Sequence, residues 1–300
     1  MRVVPLLKQV IPDLRLDWVC DEAYRPLLDS CPAIDRIIDF PRSRWSRQWP
    51  MAEMLAWARH LGAAHYDVVL DLQGLARSAL ITLATGAPRR IGLRSAREGA
   101  RWACHEIVED SAKHAIDRYR QACEFVARCP LPEGYYSLPR PSPTEDYLIL
   151  HPYTLWDTKL WPWPYIQDLV DQLDKIEIRL VGNGPWFPVR GDHVKDLRNR
   201  TPLPTLLRHL AGARTVISTD SGPAHVAAAF GIPVVALFGA SDPARTAPRG
   251  ERIIVLASGV PCQPCLQRRC RAPRTMECMW TLTPEQVVQA VRDLQSSLPA

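Results

Sequence analysis

The sequence lacks several features that would assign it to a class at once. Its longest apolar stretch, residues 223–240, is interrupted by His225, Gly231 and Pro233, so no membrane-spanning segment is predicted. The GxxxxGK[ST] loop of P-loop enzymes and the GxSxG elbow of hydrolases are both absent. The run VGNG has Phe187 where a dinucleotide fingerprint needs its third glycine, which disfavours a dehydrogenase.

A strong excess of charge is also missing. The chain has 37 Lys and Arg against 32 Asp and Glu, a net charge of +5 over 300 residues. That balance does not indicate a nucleic-acid partner, and it suits an anionic small substrate or a membrane surface equally well. No secretory signal is recognisable, and nine cysteines in so long a chain do not indicate a disulfide scaffold. We therefore expect the protein to be located in the reducing cytoplasm.

What the sequence does contain is an alternation of short β-branched runs with longer amphipathic stretches, which is typical of βα units around a parallel sheet. With 47% hydrophobic residues, the chain can bury one large core or two ordinary ones. Strands are predicted at 15–20, 36–40, 67–71, 89–93, 147–151, 177–181, 215–219, 234–238 and 252–256. Helices are predicted at 5–10, 51–61, after Gly74 and at 115–127.

A proline-rich stretch at 131–146 separates the two halves. Proline fixes φ and removes a backbone donor, so neither a helix nor a central strand is expected to run through this stretch. It divides the sequence into predicted domains at 1–135 and 146–300. A ligand would then lie in a cleft, outside the carboxyl ends of the strands.

Residues 215–249 form the most informative segment. Its apolar strand ends at Thr219, Asp220 and Ser221 are natural helix-capping residues, and Gly222 allows close backbone approach. Such a strand-to-helix turn presents free backbone N–H groups and a positive helix end to an anion, so a phosphate or diphosphate is the expected ligand. The simpler alternative is an ordinary capped helix in which His225 is merely packed.

The same segment carries a family resemblance. It reads DSGPAHVAAAFGIPVVALFG followed by SDPARTAP, which closely resembles the nucleotide-sugar signature of the lipopolysaccharide heptosyltransferases, glycosyltransferase family 9. Agreement continues at LDWVCDEAYRPLL, DVVLDLQGLARSAL and LHPYTLWDTKLWP, and SAREG followed by HAIDRY resembles the heptosyltransferase I branch. The resemblance implies an α/β fold of GT-B type, with two Rossmann-like domains facing across a cleft.

The activity implied is an inverting glycosyl transfer that needs neither metal nor other cofactor. Heptose would pass from ADP-L-glycero-D-manno-heptose to a Kdo sugar of the lipid A inner core, at the inner face of the membrane. Lys159 matches the family's lysine near the sugar phosphate, where its ammonium would offset charge on the departing ADP. The nucleotide-sugar contacts are matched by Thr154, Asp220, Ser221, Gly222 and His225.

Two arginines of the first half are candidates for binding the acceptor. Arg97 matches an arginine that faces the acidic acceptor in the family, and Arg44 is a second candidate. A planar guanidinium suits a carboxylate or phosphate, although a solvated surface charge is the simpler explanation for both. We also expect basic residues of this half to draw it to anionic lipid headgroups. They are Arg42, Arg44, Arg47, Arg89, Arg90, Arg94, Arg97 and Arg101.

One element of the resemblance has no counterpart. The family opens with a strand and a Gly-Asp loop whose aspartate acts as general base, whereas this sequence begins MRVVPLLKQV. General-base assistance contributes about a hundred- to ten-thousand-fold, so weak transfer with retained ADP binding is expected unless another carboxylate, such as Asp71 or Asp157, supplies the base. The alternative function is a non-catalytic nucleotide-sugar or lipopolysaccharide binding protein.

Four late cysteines form a further motif. Cys262, Cys265, Cys270 and Cys278 have the spacing C-x2-C-x4-C-x7-C, which could hold a structural zinc ion or an iron–sulfur cluster. Reduced thiols in a basic loop are the alternative. In neither case is a catalytic metal expected.

Overall fold

The computed structural model describes residues 2–48, 50–140, 145–273 and 275–296. The chain divides into two compact units, Met1–Tyr136 and Ser137–Ala300. Residues 141–144 of the proline-rich stretch predicted as a linker lie outside the described residues.

Unit 1 alternates helices with short parallel strands. Its helices are α1 (Leu7–Val10), α2 (Arg25–Asp29), α3 (Arg42–Gln48), α4 (Met51–Gly62), α5 (Ala76–Ala84) and α6 (Ala115–Ala127). Its strands are β1 (Asp17–Asp21), β2 (Arg36–Phe40), β3 (Val68–Asp71), β4 (Arg89–Leu93) and β5 (Glu106–Val108). The four predicted strands are present with ends shifted by at most two residues, whereas the three-residue β5 was not predicted.

The strands of unit 1 form two sheets. Strand β1 pairs in parallel with β2, and β3, β4 and β5 form a second parallel sheet. Trp18 of β1 and Leu70 of β3 pack against the same buried cluster, so one core supports both sheets. The buried members of that cluster are Val3, Val4, Leu6, Leu7, Cys123 and Leu131. The predicted amino-terminal helix, present as a 3-10 turn followed by α1, is thus part of the core.

The described part of unit 2 consists of one six-stranded sheet with helices. Its strands are β6 (Tyr147–His151), β7 (Glu177–Leu180), β8 (Val194–Asp196), β9 (Thr215–Thr219), β10 (Val234–Phe238) and β11 (Ile253–Ala257). Its helices are α7 (Trp163–Gln172), α8 (Leu203–Gly212), α9 (Gly222–Ala229), α10 (Pro243–Thr246), α11 (Glu277–Trp280) and α12 (Pro284–Ser296). All strand pairs are parallel, in the order β11-β10-β9-β6-β7-β8.

The centre of this sheet is fully buried. Every residue of β6, β9 and β10 is buried, as the sequence predicted for apolar strands covered on both faces. Because the three strands are neighbours and parallel, the loops that follow His151, Thr219 and Phe238 leave the sheet side by side at one edge. That edge carries the candidate site.

Candidate functional site

An ion pair joins two of the predicted site residues. Asp220 follows β9 directly, and Lys159 ends a 3-10 turn in the segment after β6. The Lys159 Nζ donates a hydrogen bond of 2.6 Å to Asp220 Oδ2, and the two side chains are only 14% and 8% exposed. Residues 61 positions apart in sequence meet because β6 and β9 are adjacent.

The amino end of α9 has room for an anion. Ser221, at the N-cap, has an extended backbone and makes no side-chain capping bond, and the first turn contains no acidic residue. A Cβ placed on Gly222 would have no atom within 4 Å, so the space beside the helix start is open. The N–H groups of a first helical turn have no partner within the helix, and together with the helix dipole they make the amino end of this eight-residue helix suitable for binding phosphate. His225 lies half-buried on the same helix.

The Ser221 hydroxyl, at this helix end, takes part in two hydrogen bonds. It shares a hydrogen bond of 2.9 Å with Ser218 Oγ and one of 3.2 Å with His151 Nδ1. Burial lowers the pKa of His151 to about 4, so its imidazole is neutral at pH 7. Sequence reasoning missed His151, although its position at the end of an apolar strand was a usable signal.

The VGNG turn after β7 closes around Tyr153. A Cβ on Gly184 would lie 2.1 Å from Tyr153 Cδ1, and one on Gly182, whose φ is +114°, would lie 2.8 Å from Tyr153 Cδ2. The Tyr153 hydroxyl donates to Pro185 O at 2.8 Å. The two glycines therefore permit close packing on an aromatic ring. Neighbouring Thr154 accepts from Trp156 N at 3.4 Å, which stabilises the same loop.

Two cations lie over the indole of Trp156. Lys159 Nζ is 4.3 Å from the ring centroid, and the guanidinium carbon of Arg268 is 5.8 Å from it. The backbone beside Arg268 is tied to the site, since Thr158 Oγ1 donates to Gln267 O at 2.5 Å. Sequence analysis identified neither Trp156 nor Arg268, because their contact depends on how the irregular segment between β11 and α11 folds.

Three of the four late cysteines, Cys262, Cys265 and Cys270, lie in this irregular segment, and Cys278 lies in α11. All are free thiols, and Cys278 is buried. Burial, reinforced by the neighbouring thiols of Cys262, Cys265 and Cys270, raises the pKa of Cys278 to about 11. Within the described ranges, no group of three or more His, Cys, Asp or Glu side chains is arranged to hold a metal ion. The described residues thus do not form the zinc or iron–sulfur site that the spacing suggested.

Arg97, in unit 1, lies on an exposed loop with a defined backbone. Its N–H donates to Gly74 O at 2.8 Å. A Cβ on Gly74, whose φ is +61°, would lie 2.8 Å from Ala96 Cβ, so the loops on either side of this contact are closely packed. In the part of the chain that the structure describes, no carboxylate or backbone carbonyl pairs with the Arg97 guanidinium.

The buried carboxylate of Asp71 supports the first of these loops. It accepts bonds from Gln73 N and Gly74 N at 2.9 Å each, and from Ser78 Oγ at 2.8 Å. Asp71 therefore has a structural function that competes with action as a base. Asp157, the other carboxylate considered from the sequence, is exposed in the turn that carries Lys159.

Arg44 differs from Arg97 in having a partner. Its guanidinium forms an ion pair with Glu53, which also accepts a bond of 3.1 Å from Trp45 Nε1. Three more arginines of the basic set are paired similarly: Arg42 with Asp21, Arg89 with Glu106 and Arg94 with Glu109. Much of the positive charge expected to attract lipid headgroups is thus neutralised locally. Among the described helices, none is long and apolar enough to cross a membrane.

Comparison with known proteins agrees with this architecture. The chain is 32% identical to lipopolysaccharide heptosyltransferase 1 of Pseudomonas aeruginosa over 296 residues, which cover 90% of this chain and 82% of the relative. It is 29% identical to lipopolysaccharide heptosyltransferase 1 of Escherichia coli K12, covering 89% and 87%.

A solved structure described as E. coli heptosyltransferase WaaC with ADP superposes with a TM-score of 0.77 at 25% identity, covering 97% of this chain and 94% of that one. The likeness confirms the α/β fold of GT-B type predicted from the sequence. Residues 54–276 also match the family model described as glycosyltransferase family 9 (heptosyltransferase). The chain therefore belongs to glycosyltransferase family 9, the heptosyltransferases.

Proposed function

We propose that this protein transfers L-glycero-D-manno-heptose from ADP-heptose to a Kdo sugar of the lipopolysaccharide inner core. The observation that carries the proposal is the Lys159–Asp220 pair beside the open amino end of α9. It is supported by the names of the relatives and by the likeness to a heptosyltransferase solved with ADP.

The donor diphosphate would bind at the start of α9. As the bond between the sugar and the diphosphate breaks, ADP gains negative charge. The N–H groups after Ser221 and the ammonium of Lys159 are positioned to stabilise that charge without a metal. A side chain at Gly222 would occupy the space where the diphosphate approaches the backbone.

One carboxylate and one hydroxyl group would orient the donor. Asp220 keeps one oxygen on Lys159 and offers its other oxygen to sugar hydroxyls. Ser221 is held by a neutral His151, so its hydroxyl is positioned by a group that adds no charge to the site. Thr154 and His225 are the further predicted contacts to the nucleotide sugar.

The acceptor would be bound by unit 1. Arg97 has a guanidinium that is unpaired within the described residues, and its fork can form two hydrogen bonds to a Kdo carboxylate. The Arg44 guanidinium must break its ion pair with Glu53 before it can bind the acceptor, so we assign Arg44 a smaller role in acceptor binding. Attraction of the remaining basic residues to anionic headgroups would place the enzyme at the cytoplasmic face of the membrane that holds its acceptor.

A transfer assay tests the function. The full chain is incubated with ADP-heptose and Kdo-lipid A, and both ADP release and the mass gain of one heptose on the lipid are measured. Lys159→Ala should abolish most of the transfer. Lys175→Ala is the matched control, because this exposed lysine lies before β7, at the opposite end of the strands from Lys159.

The outcomes separate the candidate functions. Mass gain on Kdo-lipid A supports the proposal. Transfer only to an already heptosylated acceptor would contradict the Kdo assignment and retain the enzyme class. Saturable binding of ADP-heptose with no transfer to either acceptor would favour the non-catalytic binding protein.

A further inference from the structure

We infer that Arg268 is a second diphosphate-binding residue of the donor site, held, like Lys159, by the indole of Trp156. The inference rests on the proposed function, since it concerns the same diphosphate. Arg268 lies in the irregular segment between β11 and α11, between Cys265 and Cys270 of the cysteine motif, and was not itself identified as a site residue from the sequence.

The contact to Trp156 brings Arg268 to the site. Its guanidinium carbon lies 5.8 Å from the ring centroid, over the same indole that receives Lys159 Nζ at 4.3 Å. An aromatic face attracts cations, so the indole of Trp156 contributes to holding each of the two side chains. Arg268 is nevertheless exposed, and a ligand can reach it.

The backbone on the amino side of Arg268 is fixed by two bonds. Leu266 N donates to Ala240 O at 2.9 Å, in the loop after β10, and Gln267 O accepts from the buried Thr158. Leu266 has a φ of +53°, a left-handed conformation that is uncommon for leucine. The segment therefore turns sharply at Leu266, and this turn directs the residues that follow toward the loop after β6.

The charges of the two cations are balanced differently. Lys159 has the Asp220 carboxylate at 2.6 Å. Within the described residues, no carboxylate pairs with Arg268, so its positive charge is available to a ligand. A polyanion bound at the donor site would attract both cations.

The chemistry of the guanidinium selects a diphosphate over the sugar or the base. Its planar fork donates two parallel hydrogen bonds to phosphate oxygens, which a lysine cannot do. Inorganic diphosphate and ADP share this group, so both are probes of the same contact. Arg269 is a matched control, because it is exposed in the same loop but makes no contact with Trp156 within the described residues.

Calorimetric titration of the full chain tests the inference. ADP, inorganic diphosphate and adenosine are titrated into the unsubstituted protein and into Arg268→Ala, Arg268→Lys and Arg269→Ala. We expect Arg268→Ala to weaken ADP and diphosphate binding by about tenfold or more, as for loss of a charge-assisted hydrogen bond. Arg268→Lys should recover part of the affinity, and adenosine binding should be unchanged. Arg269→Ala should bind ADP like the unsubstituted chain.

Each other result has a defined meaning. If Arg268→Ala and Arg269→Ala weaken ADP equally, the effect is one of net charge and the inference is wrong. If ADP affinity is unchanged in Arg268→Ala while Lys159→Ala loses it, the inference alone fails and the proposed function stands. If the unsubstituted chain binds diphosphate through Arg268 but not ADP, the inference holds and the assigned nucleotide is wrong. If it binds neither, both proposals fail.

Discussion

Lys159 and Asp220 form an ion pair in which both partners are largely withdrawn from solvent, with 2.6 Å between Nζ and Oδ2 and side chains 14% and 8% exposed. Each charge has lost most of its hydration, and each is the main compensation for the other. The two charged residues of the proposed donor site therefore depend on one another.

This dependence predicts a non-additive effect on stability. Lys159→Ala leaves a buried carboxylate without its counterion and should lower the free energy of unfolding by about 3 kcal/mol. The double variant Lys159→Ala with Asp220→Ala should recover much of that loss. Urea denaturation of the unsubstituted chain and of both variants measures these differences. Arg214→Ala is the control, because the Arg214–Asp146 pair is 36% and 75% exposed and should cost less than about 1 kcal/mol. A Lys159→Ala variant as stable as Arg214→Ala would contradict the argument.

His151 predicts a stability that falls in mild acid. Burial lowers its pKa to about 4 in the folded state, whereas the ordinary value is 6.5. The unfolded chain therefore takes up the proton first, so the stability conferred by the neutral imidazole is complete above pH 6.5. It is lost progressively as pH falls toward 4, by roughly 3 kcal/mol in all.

Denaturation at several pH values with His151→Asn tests this expectation. The variant should show a flatter dependence between pH 6.5 and 4. His209 contributes in the same direction, since burial and the nearby Arg179 and Arg208 lower its pKa. His209→Asn should therefore remove a separate part of the slope. An unaltered slope in His151→Asn would show that another group is responsible.

The contact between Gly184 and Tyr153 predicts that a single methyl group is poorly tolerated. A Cβ there would lie 2.1 Å from Tyr153 Cδ1, and the ring is buried with its hydroxyl bonded to Pro185 O. Gly184→Ala should lower stability by about 1–3 kcal/mol or more, as overpacking does. Gly222→Ala meets nothing within 4 Å and should remain as stable as the parent chain. Thermal or chemical denaturation of the two variants compares them directly, and equal stability would refute the packing argument.

The two candidate acceptor arginines should differ in their effect on kinetics. If Arg97 binds the acceptor, Arg97→Ala should raise the KM for Kdo-lipid A by about tenfold or more, as for loss of a charged hydrogen bond. Arg44→Ala should have a smaller effect, because that guanidinium is already paired with Glu53. Neither change should alter ADP affinity, which calorimetry measures separately. A larger effect at Arg44 would reverse the assignment.

Sequence predicted the parts of the fold that local composition determines. The central strands of unit 2 are largely apolar because both of their faces are covered, and their ends at 147–151, 215–219 and 234–238 were predicted to the residue. Strands β5 and β8 were missed because each has three residues and carries charged side chains. Such short strands are defined by their pairing with β4 and β7, which the composition of three residues does not specify.

In the candidate site, single residues could be predicted from the sequence, but their contacts with one another could not. Asp220 and Lys159 were identified singly, but their pairing follows from the adjacency of β6 and β9, which sequence periodicity does not specify. The pairing of Arg44 with Glu53 connects two helices and has no local signal. Arg268 reaches Trp156 through a segment that has no regular structure, so neither a period nor a motif predicts its position.

Units 1 and 2 are also expected to differ in thermal stability. Strands β1 and β2 contain no buried residue, whereas every residue of β6, β9 and β10 is buried. Two compact units with such unequal burial are not expected to melt as one cooperative body. The amino-terminal half should give the earlier calorimetric transition and the faster amide exchange. Since a ligand raises the melting temperature only of what it binds, ADP should shift the later transition alone, and the thermogram would report which half holds the nucleotide.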